Sequence, residues 1–351
     1  MSALPAEPRT RFQLPPELSA AEPPESRGLS RDGVRLLAAT PTRVRHAHFG
    51  DITRYLDPGD LLVLNTSATL PAAIDAVRPS GALVVVHFST HVAADYWVVE
   101  LRTTDSAQDG PVRDGTPGEQ LTLVGGATLT LIGAFPDADA RDDSRLWRAR
   151  LDRDVGAHLA LYGRPIRYGY VRERWPLEAY QTVFATQPGS AEMPSAGRPF
   201  TPEVLTRLVA RGVVVAPVLL HTGVSSQEAH EPPYEEWYRV PEHTARLVEF
   251  ARSAERRVVA VGTTVVRALE TVAASDGTVE AREGWTDLVL GPDRPARVVT
   301  GLLTGLHAPG ASHLHLLEAV AGPELVQQVY DAALRRRYRW HEFGDVCLLL
   351  P

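Results

Sequence analysis

The sequence predicts an α/β main domain that is interrupted by a small inserted antiparallel β domain. The first observation is the apolar run Val258–Val261, which is typical of a strand buried on both faces. Val265, Leu269 and Val272 then recur at helical spacing, so a strand leads directly into a helix. The second observation is that residues 74–155 consist of short, partly alternating apolar runs separated by turn-rich pieces, which predicts an antiparallel sheet or a small barrel.

This change of pattern places the domain boundaries. A chain of 351 residues is longer than a usual single domain. We expect residues 1–73 and 156–351 to form one discontinuous α/β catalytic domain and residues 74–155 to form the inserted domain. A strand is predicted at 61–64, before the insertion. After it, helices are predicted at 202–211, 243–254 and 323–335, and strands at 213–219 and 297–303.

The amino-acid composition excludes several classes of function. The chain is 44% hydrophobic and carries a formal net charge of −7. No apolar run approaches about 18 residues, so no membrane span is expected. The N-terminus lacks an apolar leader, which predicts a cytoplasmic location. All 36 basic residues are arginines, and this excludes Schiff-base catalysis, internal-aldimine pyridoxal chemistry and a Walker P-loop. The single cysteine, Cys347, excludes an internal disulfide.

The junction between the predicted strand and helix is a candidate binding site for an anion. Gly262 permits a tight approach, and a hydroxyl of Thr263 or Thr264 is suited to cap the helix. A helix N-terminus carries unpaired N–H groups and a partial positive charge, so a carboxylate or phosphate is expected there, with Arg267 one turn further on. The alternative is that this junction only caps a helix.

Polar residues that follow predicted strands are further candidates. Asn65 ends the strand at 61–64, where sites of α/β proteins usually lie. His221 follows a strand and His307 lies in a tight loop, so either is suited to act as a general base, although each is also compatible with a structural role. His313 and His315 are expected on different helix faces with no Cys or acidic ligand nearby, so no metal site is expected.

Several segments together resemble one enzyme family. The segments are YQTVFA at 180–185, PSAGRPFT at 194–201, LLHTG at 219–223, VVAVGTTVVRALE at 258–270, and HAPGASHLHLLEAVAG at 307–322. In this order they resemble motifs of the S-adenosylmethionine:tRNA ribosyltransferase-isomerases of queuosine biosynthesis. The resemblance covers nearly the whole chain outside the insertion. It implies a main α/β domain with barrel-like character and an inserted small antiparallel β-barrel domain.

The resemblance also implies a reaction. In the family, the ribosyl part of S-adenosylmethionine is transferred to the aminomethyl group of a 7-deazaguanine in tRNA and rearranged, with loss of adenine and methionine and without a metal. The matching motifs add Gln181, Ser195, Gly197 and Arg198 to the candidates for binding S-adenosylmethionine. We expect a monomer whose partners are S-adenosylmethionine and tRNA. His221 is placed slightly ahead of His307 as the base because a strand end gives it the more rigid mounting.

Two other functions remain open on the sequence alone. Ser195 stands where the family usually has Thr, and the loop at 304–312 lacks the family's Asn and Lys. These differences are compatible with a paralogue that uses S-adenosylmethionine with a small nucleoside acceptor, and with a catalytically inactive descendant that binds nucleotide or RNA. Glu192 and Glu270 are the reserve candidates for the base.

Overall fold

The computed structural model describes residues 7–93, 96–104, 110–137, 144–224, 234–291 and 294–351. The strands are β1 (Arg35–Thr40), β2 (Arg43–His48), β3 (Leu61–Asn65), β4 (Ser67–Thr69), β5 (Ala73–Val77), β6 (Leu83–Ala93), β7 (Tyr96–Arg102), β8 (Gln120–Leu123), β9 (Thr128–Phe135), β10 (Leu146–Leu151), β11 (Gln187–Ser190), β12 (Val214–Leu220), β13 (Glu236–Val240), β14 (Val258–Val261), β15 (Arg282–Thr286), β16 (Gly301–Gly305) and β17 (Val346–Leu349). The helices are α1 (Val155–Tyr162), α2 (Pro202–Ala210), α3 (Glu242–Ser253), α4 (Thr263–Val272), α5 (His313–Ala321) and α6 (Pro323–Arg335). In these ranges, no helix is long and apolar enough to cross a membrane.

The main sheet joins strands from both ends of the chain. Its order is β15-β13-β12-β3-β14-β16-β17-β1-β2. The centre is parallel, because β3 pairs with β12 and β14, and β14 pairs with β16. Leu61 lies opposite both Val214 and Val258, so the carboxyl ends of these strands meet at one edge of the sheet. Ligands of open α/β sheets bind outside that edge.

The inserted strands close into a barrel, in the order β10-β7-β6-β5-β8-β9. Its interior is apolar and includes Val86, Leu101, Leu129 and Trp147, all of which are buried. Burial alternates along most of β9, as expected for a strand with one face toward the barrel interior. The predicted α/β main domain with an inserted β-barrel is therefore confirmed, while the boundaries at 74 and 155 stay a prediction.

Helix α4 follows the buried strand β14 as predicted. Val265 and Leu269 on its apolar face are fully buried in one cluster with Val63 of β3 and Ala260 of β14. Each large aliphatic side chain buried in this way stabilises the fold by about 1.5–3 kcal/mol. The apolar face therefore fixes the helix on the sheet and holds its first residue, Thr263, at the carboxyl edge.

One predicted strand is misplaced. The strand expected at 297–303 begins only at Gly301, because the backbone N–H groups of Arg297, Val298 and Val299 are donated to the carboxylate of Glu270 at 2.8–2.9 Å. Glu270 is 2% exposed and pairs with this loop backbone, not with an arginine of its own helix. It is therefore a structural residue in this fold.

Candidate active site

A cavity of about 730 Å³ lies at the carboxyl edge of the main sheet, beside the barrel. The barrel contributes residues of β6 and β7, and the main domain contributes the N-terminus of α4 and the end of β16. The polar and aromatic residues that line it include Ser89, Thr90, Arg102, Tyr168, Tyr170, Tyr180, Glu192, Ser195, Thr222, Tyr234, Glu236, Thr263, Thr264, Arg267, Thr304, His307, Ser312, His313, His315, His341 and Glu342. A volume of this size is typical of sites for small molecules and cofactors.

The junction between β14 and α4 forms part of the cavity wall. Gly262 has a φ of +93°, a conformation that favours glycine, and it stands at the N-cap of α4. Neither threonine caps the helix, contrary to the sequence expectation, because no side-chain hydrogen bond closes this end. Among the described residues, the backbone N–H groups of Thr263 and Thr264 have no hydrogen-bond partner. Gly262, Thr263 and Thr264 all line the cavity, so these two N–H groups are available to an anion.

Arg267 also lines the cavity but is held mainly by protein groups. Its Nη1 donates to the carboxylate of Glu236, and its Nη2 donates to the carbonyls of Tyr234 at 3.2 Å and Thr286 at 2.9 Å. Its Nε has no partner in the described part of the chain. Burial raises the pKa of Glu236, although the charge of Arg267 opposes this shift. The guanidinium is thus fixed in place, and Nε–H is its donor that no described residue accepts from.

His307 lies in the cavity just after β16. Its Nε2 is 3.0 Å from Thr304 Oγ1, and its ring stacks on that of His313 with centroids 4.5 Å apart. The backbone is fixed as well, because the N–H of His307 donates to Tyr330 at 3.1 Å and its carbonyl accepts from Trp340 at 3.0 Å. Burial, with a smaller contribution from neighbouring histidines, holds the pKa of His307 well below its ordinary value. The imidazole is therefore neutral at pH 7, with one ring nitrogen that carries no proton.

Two tyrosine–carboxylate pairs lie in the same cavity. Tyr168 donates its hydroxyl to Glu192, and Tyr170 donates to Glu342 at 2.5 Å. The two tyrosine rings are stacked with centroids 6.1 Å apart. Burial raises the pKa of Glu342 to about 7, and burial together with the carboxylate raises the pKa of Tyr170 well above its ordinary value. Glu342 therefore titrates near neutral pH, as a group suited to proton transfer does.

Most of this aromatic and acidic wall was not predicted from the sequence. Tyr168 and Tyr170 belong to the segment that returns from the barrel, and His341 and Glu342 belong to the loop before β17. His341 has a φ of +70° and stacks on Tyr170 with ring centroids 4.2 Å apart. The available signal was a pair of aromatic residues in a polar linker and an adjacent His-Glu pair. No sequence spacing connects them, because only the folded chain brings them together.

His221 is not among the residues that line the cavity. Its Nδ1 is 2.8 Å from Ser67 Oγ, and its ring stacks on Trp237 with centroids 5.7 Å apart. Burial and the charge of Arg239 lower its pKa to about 4. Thr222 and Gly223, which follow it, do line the cavity. A catalytic role for His221 stays a prediction, and its contacts are those of a residue that joins β12 to its surroundings.

The other candidate binding residues divide into those on the cavity wall and those behind it. Ser195 lines the cavity, whereas Gly197 lies behind it and packs against Phe184. The amide of Asn65 bonds to both backbone groups of Leu220, at 2.8 and 3.0 Å. Asn65 therefore joins β3 to the end of β12, and only Ser195 of these three faces the space that a ligand would fill.

Gln181 and Arg198 are also used by the fold. Gln181 bonds to the backbone N–H and carbonyl of Thr69, at 3.0 and 2.8 Å. Arg198 donates to the carboxylate of Glu25 and to the carbonyl of Ala179, at 2.9 and 2.8 Å, and is 3% exposed. Like Asn65, neither residue lines the cavity. Their side chains hold the strands and loops around it, so they are placed to position the site.

Comparison with known proteins identifies the family. The sequence profile of the family described as "Queuosine biosynthesis protein" matches residues 9–349. This chain belongs to that family. Queuosine biosynthesis proteins similar to it include the S-adenosylmethionine:tRNA ribosyltransferase-isomerase of Thermotoga maritima, which is 35% identical over 97% of this chain and 98% of the relative. The enzyme of the same name from Rubrobacter xylanophilus is 38% identical over 97% of this chain and 96% of the relative.

A solved structure of the family agrees with the fold. The crystal structure of S-adenosylmethionine tRNA ribosyltransferase from Thermotoga maritima matches with a TM-score of 0.52 and 30% sequence identity, covering 97% of this chain and 99% of that one. The similarity therefore extends over the main domain and the inserted barrel together. Among the described residues of this chain, no group of three or more His, Cys, Asp or Glu side chains has a metal-binding arrangement.

Proposed function

We propose that this chain is an S-adenosylmethionine:tRNA ribosyltransferase-isomerase and that the cavity of about 730 Å³ is its active site. It transfers the ribosyl part of S-adenosylmethionine to 7-aminomethyl-7-deazaguanine in tRNA and rearranges it, releasing adenine and methionine. The observation that carries the proposal is the meeting of three features in one cavity. They are a helix N-terminus with two unused N–H groups, two carboxylates bonded to tyrosines, and a neutral histidine.

The methionine carboxylate and the sulfonium of the donor each have a complementary group in the cavity. The methionine carboxylate is placed at the N–H groups of Thr263 and Thr264, where the helix dipole favours an anion. We place the sulfonium toward the carboxylate of Glu342, because opposite charges attract. Binding the carboxylate and the sulfonium fixes the ribose that is bonded to the sulfur, and orientation of this kind supplies much of the rate enhancement of enzymes.

His307 is our proposed base. The sulfonium acidifies the adjacent ribose C–H, so a neutral acceptor within hydrogen-bond reach is required to start the reaction. When the Nε2 proton of His307 is donated to Thr304, its Nδ1 is left as the acceptor. Stacking on His313 keeps the ring in one orientation. Glu342, whose pKa is raised to about 7, is placed to exchange protons later in the reaction.

The activity is tested by incubating the protein with S-adenosylmethionine and tRNA. We expect release of adenine and methionine with tRNA that carries 7-aminomethyl-7-deazaguanine and none with unmodified tRNA. Release with a free nucleoside but not with tRNA would show the small-nucleoside paralogue. No release with any acceptor, although S-adenosylmethionine binds, would show the inactive descendant.

The binding mode is tested by a substitution that removes one backbone donor. Thr263 is the first residue of α4, a position at which proline is well tolerated. Thr263→Pro removes its N–H group, whereas the matched control Thr263→Ala removes only the side chain. We expect Thr263→Pro to weaken binding by about 1.5–3 kcal/mol, the typical contribution of a hydrogen bond to a charged group, and Thr263→Ala to weaken it less. Equal affinities in the two folded variants would contradict this mode.

We further propose that the enzyme acts as a monomer in the cytoplasm. Sedimentation of the active protein gives the mass directly, and a dimer would contradict it.

A further inference from the structure

A second cavity, of about 360 Å³, lies between the barrel and the segment that returns from it, residues 163–176. We call it the arginine cleft, because Arg102, Arg164, Arg167 and Arg174 line it, with Asp75 as the one carboxylate among its described lining residues. The whole chain has a formal net charge of −7, so the positive character of this cleft opposes the overall charge. Arg102, Gly169 and Tyr180 line both cavities, so the arginine cleft adjoins the candidate active site.

The four arginines are not equivalent. Arg164 is paired with Asp75 at 2.5 Å, and Arg102 is buried against Glu100 at 3.2 Å. Arg167 bonds only to backbone carbonyls, those of Val171 at 2.7 Å and Arg172 at 2.9 Å, so its charge is not compensated by a carboxylate in the described part of the chain.

Arg174 is exposed and makes no hydrogen bond or ion pair with any described residue. Arg167 and Arg174 therefore supply two uncompensated positive charges to one cleft.

An aromatic residue lies beside these charges. Trp175 lines the arginine cleft, and its indole N–H, although buried, has no hydrogen-bond partner among the described residues. A positively charged groove with an aromatic side chain is the usual arrangement for binding single-stranded nucleic acid, because arginines contact the phosphates and a base stacks on the ring.

We propose that the arginine cleft binds the RNA strand next to the target nucleotide. A phosphodiester lies against Arg167 and Arg174, and the neighbouring base stacks on Trp175. This inference rests on the proposed function, because an enzyme that modifies a base must take it out of the stack and hold the flanking strand outside the active site. The shared wall formed by Arg102, Gly169 and Tyr180 gives the strand a continuous path between the two cavities.

The test compares RNA binding by arginine variants of the full-length protein. The double variant Arg167→Ala/Arg174→Ala removes the two uncompensated charges. The matched control, Arg172→Ala, removes an exposed arginine of the same segment that does not line the cleft. Fluorescently labelled tRNA is titrated at several salt concentrations, and S-adenosylmethionine binding is measured by calorimetry.

We expect the double variant to bind tRNA at least tenfold more weakly than the wild type. The slope of log K against log salt should become shallower by about 0.7 for each phosphate that the variant no longer neutralises. Arg172→Ala should stay within twofold, and S-adenosylmethionine affinity should not change. Trp175→Phe, which retains a stacking ring, should bind tRNA more tightly than Trp175→Ala.

Three results would overturn the proposal. They are an unchanged tRNA affinity and salt slope in the double variant, an equal loss in Arg172→Ala, and a loss of S-adenosylmethionine affinity in place of tRNA affinity. The failure of the proposed function is distinct: the wild type would then bind tRNA through the cleft but release no adenine.

Discussion

Replacing His307 by Gln tests the proposed chemistry most directly. Gln retains a hydrogen-bonding group near Thr304 but cannot take up a proton near neutral pH. The matched substitution is His221→Gln, because His221 follows strand β12 of the same sheet but does not line the cavity. If His307 is the base, the first variant should lose turnover while the second retains it.

The effect of His307→Gln on stability is separable from its effect on rate. The variant loses the stacking on His313, about 0.5–1.5 kcal/mol, and weakens one hydrogen bond, about 1 kcal/mol. These losses are small against the roughly 5–15 kcal/mol of a typical domain, so the variant should fold. Loss of a general base costs about 10²- to 10⁴-fold in rate, equivalent to about 2.7–5.4 kcal/mol in the barrier.

The assay is single-turnover release of adenine at saturating S-adenosylmethionine and modified tRNA, with donor affinity measured separately. We expect at least a 100-fold loss for His307→Gln with affinity retained, and less than about a fivefold loss for His221→Gln. Near-full turnover of His307→Gln would refute our assignment. A 100-fold loss confined to His221→Gln would show that the residue outside the cavity wall is the base.

Three further predictions concern binding and stability. Arg267→Ala should weaken S-adenosylmethionine binding by about 1.5–3 kcal/mol, as measured by calorimetry. The control is Glu236→Gln, which removes the partner of Arg267 but keeps the guanidinium. Unchanged affinity in Arg267→Ala would mean that Arg267 only stabilises the cavity wall. Glu270→Gln should lower the free energy of unfolding by about 2–4 kcal/mol, because the carboxylate of Glu270 accepts hydrogen bonds from three backbone N–H groups. Urea unfolding measures this change, and a value below about 0.5 kcal/mol would contradict the structural role. Thermal stability should fall as pH decreases from about 6.5 toward 4. Burial lowers the pKa of His313 and His341 to about 4, so the unfolded chain binds more protons than the folded one over this range. A melting temperature that does not change between these pH values would contradict the prediction.

The scaffold was predictable because its patterns are local. The change from an apolar strand to helical spacing at 258–272 directly reflects burial of β14 and α4, and alternation along the insertion reflects a barrel with one face toward solvent. The strand expected at 297–303 failed for a physical reason. Apolar residues there are buried in a loop whose N–H groups are satisfied by the Glu270 carboxylate, and hydrophobicity does not distinguish such a loop from a strand.

The site was only partly predictable, because polar residues at strand ends either face a ligand or bond to the protein's own backbone. Asn65 and Gln181 are predicted to bind the donor, yet both bond to the backbone of neighbouring segments and lie outside the cavity wall. Thr263 and His307 do line the cavity. Residues that bond to the backbone and residues that line the cavity look alike in the sequence. A buried backbone group and a bound ligand both require a polar side chain as a hydrogen-bond partner.

The electrostatics of the two adjoining cavities suit two substrates of opposite charge. His307, His313 and His341 all line the active-site cavity, but burial lowers their pKa values, so they add no positive charge at neutral pH. The charge of Arg267 is balanced by Glu236. A sulfonium is therefore not repelled there, and Glu342 attracts it when ionised.

The arginine cleft has the opposite character, because Arg167 and Arg174 have no carboxylate partners among the described residues. A cationic donor is thus favoured in one cavity and an anionic RNA strand in the other. The two cavities share a common wall, formed by Arg102, Gly169 and Tyr180. Each substrate is therefore directed to its own cavity, and the reacting groups of the two substrates meet at this wall. Separating the two charges in this way orients the transfer before any bond is broken.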